Sequence, residues 1–209
     1  MLVTAQRVKV VLVGLGIAVV CIVAAEFIRG AVTRDREPLT PFKSDVGRFK
    51  VMLPAAVSTE TDQVETTMGP VRQTMYKARA KYIQFLVAYT DYPDQYMATT
   101  KPADILAGAA RSAASGVNGK LKREEAFVSN GLATRQVWVR APKGVHMRSR
   151  LTLVGSRMYQ VTALAQRRHV FDRKIEDVFA SFEVLPAPAA APTAPDSATA
   201  GPQTAAGQP

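Results

Sequence analysis

An α+β domain, an antiparallel β-sheet with helices packed on it, is what the sequence predicts for the centre of this 209-residue chain. Three observations predict it. Polar and apolar residues alternate with period two over several stretches. Turn signals separate those stretches at short intervals, which favours strands that fold back on one another as antiparallel neighbours. Two segments carry helical spacing instead, one in the middle of the domain and one at its end.

The elements follow in order. Gly47–Pro54 begins as polar/apolar alternation and stops at proline. Ser58–Thr66 and Val71–Arg79 flank Met68-Gly69-Pro70 and are predicted as two strands around a Gly-Pro turn. Both are largely polar, so at least one of their faces meets water. Tyr82–Tyr89 is the most apolar strand, and Tyr92-Pro93 ends it. Pro102–Ala113 is a helix: Thr99 or Thr100 offers a cap, Pro102 suits the first turn, and Gly116 ends it. Its alanines suit close packing on a sheet. Gly119–Val128, Leu132–Arg140, His146–Val154 and Arg157–Ala165 are four further strands, the last three joined by turns at Pro142-Lys143-Gly144 and Gly155-Ser156. A final helix, Val170–Phe182, spaces Ile175, Val178, Phe179 and Phe182 three and four apart.

Both ends differ from this domain, which gives three regions: 1–30, 40–185 and 186–209. At the start, Arg7 and Lys9 precede Val10–Ala25, a run without a charged residue. A positive segment before an apolar one marks a chain that enters the translocation machinery with its N-terminus held inside. Uncut, the segment from Val10 through Leu15 and Ile22 to Ile28 makes roughly 28 Å of helix, enough to span a bilayer. Small residues at Val23-Ala24-Ala25 leave cleavage after Ala25 as the alternative, with a secreted product. The run exceeds the usual length of a cleaved signal, so a retained anchor with the domain outside the cytoplasm is the favoured expectation. Cys21, the one cysteine, lies in this segment, and the domain therefore holds no thiol. From Pro186 to Pro209 the residues are Pro, Ala, Thr, Ser, Gly and Gln with Asp196 as the single charge, a composition with no apolar face to offset the entropy of ordering.

The net charge is +10, and nearly all of the basic excess lies between residues 40 and 185. Such a surface suits anionic membranes or acidic partners. Nucleic acid is disfavoured, because the N-terminal segment carries the domain away from it. The inventory for catalysis is short: two separated histidines, His146 and His169, no thiol, no phosphate loop and no nucleophile elbow. We therefore expect no enzyme activity, no cofactor and no metal. Asp91 and Asp94 flank Tyr92-Pro93, where a proline turn stabilised by Asp side chains is the favoured reading over a cation site.

The basic residues of the strand pair are the better lead. Arg148 and Arg150 alternate onto one face of their strand, Arg140 shares a face with Trp138 on the neighbouring strand, and Lys143 sits at the turn. If these faces coincide, the hairpin presents Trp138, Arg140, Lys143, Arg148 and Arg150 as a cationic patch beside an indole, suited to acidic groups. The plainer alternative places Trp138 in the core with the arginines in water.

Four segments in order, Gly47-Arg48-Phe49 to Leu53-Pro54, Tyr89-Thr90-Asp91-Tyr92-Pro93, Arg150–Val161 and Phe179-Ala180-Ser181-Phe182, resemble those of PsbP-like/DcrB-like domains. The resemblance covers nearly all of residues 42–185. It implies an α/β/α sandwich around an antiparallel sheet and a non-catalytic role, as in an extrinsic photosystem II subunit or a periplasmic protein affecting phage uptake. In bacterial relatives a Gly-His-Pro-like turn often precedes the strand equivalent to that of Trp138; here Gly131-Leu132-Ala133 replaces it. The family shares no catalytic residues to carry over. Two functions follow as expectations: a membrane-tethered extracytoplasmic binding or assembly module that docks to an envelope protein or anionic surface through the basic hairpin, or a carrier of a small hydrophobic ligand or lipid between helix and sheet.

Overall fold

The computed structural model describes residues 38–66 and 69–186. The apolar N-terminal segment, and all of the C-terminal tail except Pro186, lie outside the described residues. Among the described residues no helix is long and apolar enough to cross a membrane.

Among the described residues ten strands and three α-helices follow one another: β1 (Leu39–Ser44), β2 (Phe49–Pro54), β3 (Val57–Thr66), β4 (Gly69–Ala80), β5 (Ile83–Asp91), α1 (Asp94–Thr99), α2 (Pro102–Gly116), β6 (Lys120–Ser129), β7 (Leu132–Arg140), β8 (Val145–Val154), β9 (Arg157–Gln166), α3 (Arg173–Ser181) and β10 (Glu183–Val184). Seven strands form one antiparallel sheet in the order β3-β4-β5-β9-β8-β7-β6, and β1-β2-β10 form a small second sheet. The domain is thus a mostly antiparallel β-structure with few helices, as expected. The predicted meander β7-β8-β9 is present, with Trp138 paired to Arg148 and Arg150 to Val161.

The large sheet is covered on both faces, but the covers are offset. On one face lies α2, packed against β6, β7 and β8. Its buried face is Ile105, Leu106, Gly108, Ala109, Ala110, Ala113 and Ala114, small enough to bring the helix close. On the other face lie α3 and the small sheet, side by side, with α3 packed on β2. This layer seats Phe49, Val51, Leu53, Ile175, Val178 and Phe179 on Phe85, Val87, Tyr89, Tyr159 and Val161. Strands β5 and β9, in the middle, are therefore buried along nearly their whole length. Phe49 is fully buried and touches four rings: Phe42, Tyr76, Tyr159 and Phe182, with centroids 5.4–6.3 Å away.

Local chemistry refines three expectations. No threonine caps α2: Thr99 Oγ1 instead donates to the Gln95 and Tyr96 carbonyls, and the N-cap is Lys101 with Pro102 just inside. The last helix begins three residues late, because Val170 follows a 3-10 turn (Arg167–His169) and Asp172 caps α3 by accepting from the Lys174 amide at 2.9 Å. Strands β1 and β10, not expected individually, complete the small sheet.

Phe49→Ala should cost about 3–5 kcal/mol, the range for deleting a buried aromatic side chain. Urea denaturation followed by Trp138 fluorescence and by far-ultraviolet circular dichroism would measure it.

Candidate functional site

Because α3 covers the sheet only as far as β8, the α3-side face of β7 and β6 has no helix over it. Pairing fixes which side chains stand there. Trp138 is opposite Arg148, Gln136 opposite Arg150, and Arg140 opposite His146, all on the α3 side. A bulge in β6 shifts the register after Leu121, so that Leu121 faces Val139 while Arg123 faces Trp138. Without the bulge, Arg123 would point to the α2 side. Phe127 follows on the same face, opposite Thr134.

The result is a layer of alternating guanidinium and aromatic groups. The Arg123 guanidinium lies 4.8 Å from the Trp138 ring. Arg148 lies 5.8 Å from Trp138, 5.8 Å from Phe171 and 5.4 Å from Phe179. Arg150 lies 4.9 Å from Phe179 and 5.5 Å from Phe127. Such contacts contribute roughly 0.5–1 kcal/mol each where exposed and more where dry. Phe171 is 75% exposed and Phe127 37%, so the layer reaches solvent through its aromatics.

Of the five sequence-predicted residues, Trp138, Arg140, Arg148 and Arg150 share one face and Lys143 stands in the turn between β7 and β8; they divide in environment. Arg140 and Lys143 are exposed. Trp138 is half-buried, stacked between Arg123 and Arg148 rather than enclosed in the core. Arg148 is 4% exposed: its Nη1 donates to Glu176 at 2.6 Å and to the Val170 carbonyl at 3.4 Å, and its Nε has no protein partner. Arg150 is intermediate, donating to Gln136 Oε1 at 2.8 Å and to the Phe179 carbonyl at 3.1 Å. Burial pushes the Arg150 guanidinium below its ordinary value, Glu176 pulls it back up, and Arg148 pushes it down. Arg148 thus fastens α3 to the sheet, while Arg140, Lys143 and the accessible edge of Arg150 carry charge that a partner can reach. Arg123, Phe127 and Phe171 were not singled out by sequence. One signal would have pointed to the region: no acidic residue occurs between Glu125 and Asp172.

Beside Trp138 a pit of about 280 Å³ opens between the β6 bulge and the segment after β9. Trp138, Val170 and Phe171 give it an apolar lining, and Lys122, Arg123, His146 and Arg167 stand around it. His146 is held below its ordinary value, by burial first and then by Arg140 and Arg167. A second, larger cleft of about 840 Å³ lies at the opposite end of the sheet, bounded by Leu132, Thr152, Val154, Phe182 and Leu185.

The remaining candidates are occupied locally. Both Asp91 oxygens accept from Arg157, at 2.5 and 2.7 Å, and Arg157 also donates to the Val46 carbonyl, tying the β1–β2 turn to the large sheet. His169 stacks on Tyr82 at 4.4 Å and accepts from Arg168.

A seven-stranded antiparallel sheet with one helix on one face, and a helix beside a small sheet on the other, is a PsbP-like fold. The solution structure of cyanobacterial PsbP from Synechocystis sp. PCC 6803 shares this fold at TM-score 0.50 and 12% identity, over 75% of this chain and 98% of that one. A protein of unknown function from Pseudomonas aeruginosa, PA94, matches at TM-score 0.39 and 11% identity, over 73% of this chain and 99% of that one. No protein-family model matches the sequence, and no curated protein does.

Two measurements test this arrangement. Arg148→Ala should cost about 2–3 kcal/mol, because it strips packing and a charged hydrogen bond from under α3. Arg140→Ala and Lys143→Ala, at exposed positions, should each stay within about 0.5 kcal/mol by chemical denaturation. His146 should titrate by NMR below 6.5, and Arg140→Ala or Arg167→Ala should raise its midpoint. The folded state resists protonation here, so the unfolded state binds more protons below that value. The neutral imidazole's stabilising contribution is accordingly complete above about pH 6.5 and falls as pH drops beneath it.

Proposed function

We propose that the chain is a membrane-tethered, non-catalytic docking module, held outside the cytoplasm by its N-terminal segment, that binds an acidic protein partner of the cell envelope. The observation that carries this reading is the open guanidinium–aromatic layer on β6 and β7, with Phe127 and Phe171 exposed beside Arg123, Trp138 and Arg150. Arginine and large aromatics are the residue types that dominate protein interfaces, since they combine apolar area with directional charge. An acidic partner complements the layer, because the cations outnumber the carboxylates that stand near them. Glu176 is spent on Arg148 and Arg150, and Glu124 and Glu125 pair with Arg135 and Arg123.

The large cleft supports a second reading, carriage of a small hydrophobic ligand or lipid. Its volume falls in the range of ligand sites, and Leu132, Val154, Phe182 and Leu185 give it apolar wall. The two readings separate by position, since the cleft and the guanidinium–aromatic layer share none of these residues.

Purification of the full chain from membranes in mild detergent should retain a stoichiometric protein. The triple variant Arg123→Glu, Phe127→Ser, Phe171→Ser should lose it with the melting temperature within a few degrees of the parent, since none of the three is buried. Retention of the partner by a folded triple variant, with loss of an extracted lipid on Leu132→Glu, would instead establish the carrier.

A further inference from the structure

The strand ends sort the charges of this domain. One end of the large sheet is made of the β4–β5 turn, the start of β6, the end of β7, the start of β8 and the 3-10 turn after β9. Pairing aligns them: Ala80 with Ile83, Ile83 with Ala165, Val145 with Gln166, Arg140 with His146 and Lys120 with Arg140. Lys120, Lys122, Arg140, Lys143, Arg167 and Arg168 all stand on this rim, and all are exposed. Among the described residues, no carboxylate pairs with any of the six. Two aromatics stand with them, Tyr82 at 41% and Phe171 at 75% exposure. The carboxylates nearest in the chain are engaged elsewhere: Glu124 pairs with Arg135, Glu125 with Arg123, and Asp172 accepts from the Lys174 amide to cap α3.

The chain's two exits lie at opposite ends. Leu39 pairs with Pro54, three residues before Val57, the first residue of β3, and Val57 pairs with Ala78 close to the end of β4 at Ala80. The segment preceding β1 therefore leaves at the cationic rim. The other exit follows β10, which pairs with Phe49 and Lys50, and Leu185 donates to the Arg48 carbonyl beside the distant β8–β9 turn. Between Ile28, the last residue of the apolar segment, and Leu39 stand ten residues. They reach at most roughly 35 Å. Seven strands at about 4.8 Å spacing are some 30 Å wide, so the tether keeps the whole rim within reach of the bilayer.

We infer that the rim built from Lys120, Lys122, Arg140, Lys143, Arg167 and Arg168, with Tyr82 and Phe171 among them, is a lipid-binding surface that seats the domain on anionic phospholipid headgroups. This rests on the tether proposed above and adds an orientation to it. Basic residues within a Debye length of an anionic leaflet each gain a few-fold in binding, and interfacial aromatics sit at headgroup level. His146 belongs to the same rim: Arg140 and Arg167 face it, with Lys122 and Arg123 around the adjoining pit. An anion seated there would relieve that repulsion.

The test uses the full chain with Cys21→Ser, reconstituted in nanodiscs of phosphatidylcholine alone or with phosphatidylglycerol. A fluorophore is placed on Lys143→Cys or, at the far end, on Ser156→Cys. With headgroup-nitroxide lipids, the 143 probe should be quenched several-fold more in anionic than in neutral discs, and the 156 probe in neither. The reversal Lys120→Glu, Arg167→Glu, Arg168→Glu should bring the 143 probe to the level of the 156 probe. Equal quenching at 143 in both lipids, or stronger quenching at 156, overturns the lipid surface. So does a 143 probe shielded in native membranes but not in anionic discs, which would mark a protein partner on the rim. Alkaline carbonate extraction reads the tether separately. A chain removed by carbonate refutes the tether, and its salt-sensitive binding to phosphatidylglycerol vesicles, lost in the triple reversal, then decides the rim alone.

Discussion

Glu176 on α3 reaches back to two arginines of β8, at 2.6 Å to Arg148 and 4.0 Å to Arg150, and this contact fixes where the helical cover of the sheet stops. Beneath it the order is strict. Ile175, Val178 and Phe179 fill the core against β5 and β9, Arg148 and Arg150 lie at the boundary with their guanidinium groups against the Phe179 ring, and Trp138 stands beyond it. Removing the buried Arg148 charge from water, with Arg150 partly buried beside it, is costly, and it is recovered only where the partners are fixed in place. Here they are: the carbonyls of Val170 and Phe179 and the Glu176 carboxylate come from one short segment, with Gln136 completing the set from β7. The helix cannot slide outward over β7 without breaking that set. The α3-side face of β6 and β7 is open for this reason, while α2 on the other side holds the same strands in place.

That asymmetry explains which parts of the molecule were legible in the sequence. Local signals carried well: Pro102 and Gly116 bracket α2, Tyr82–Tyr89 marks the strand buried on both faces, and the spacing of Ile175, Val178 and Phe179 marks the α3 core stripe. Strand β1 escaped notice because Pro41 sits inside it. Proline is tolerated there since β1 is an edge strand of the small sheet, a fact about neighbours rather than about the segment. The shared face of Trp138, Arg148 and Arg150 follows from alternation once the hairpin register is known. Their separate fates do not. A basic residue alternating along a strand has the pattern of a solvated one, and only α3, contributed by a later part of the chain, buries Arg148. The same holds for Arg123, whose place beside Trp138 depends on a bulge that no composition cue announces.

The two surfaces argued above, one open for a protein and one for lipid, meet at Phe171 and otherwise run at right angles. The rim consists of strand ends, and the guanidinium–aromatic layer consists of the flank of the strands. A domain resting on its rim stands with its strands upright, so the flank of β6 and β7 faces along the membrane plane. A partner that is itself embedded or anchored would meet it sideways, without either protein leaving the surface. Tethering both partners in a thin layer raises their effective concentration, which lets a modest interface function. An open flank with two exposed phenylalanines is of that modest kind.

The charge distribution completes the argument for one orientation rather than many. A basic domain with its cations scattered would lie on an anionic surface in any pose that its tether allows. Here six exposed cations without a carboxylate partner gather at the rim where the N-terminal segment departs, whereas at the opposite end, which also carries Arg48, Arg157 is neutralised by both oxygens of Asp91 and is committed to the Val46 carbonyl. The hydrogen bonds that Arg157 donates to Asp91 hold that guanidinium above its ordinary value, so the contact persists across the physiological range. Arg157 thus holds the β1–β2 turn with its charge matched by Asp91, and the six cations of the rim have no such match. Chain exit and the larger group of carboxylate-free cations coincide at the rim, and with the proposed tether that coincidence favours one orientation of the domain.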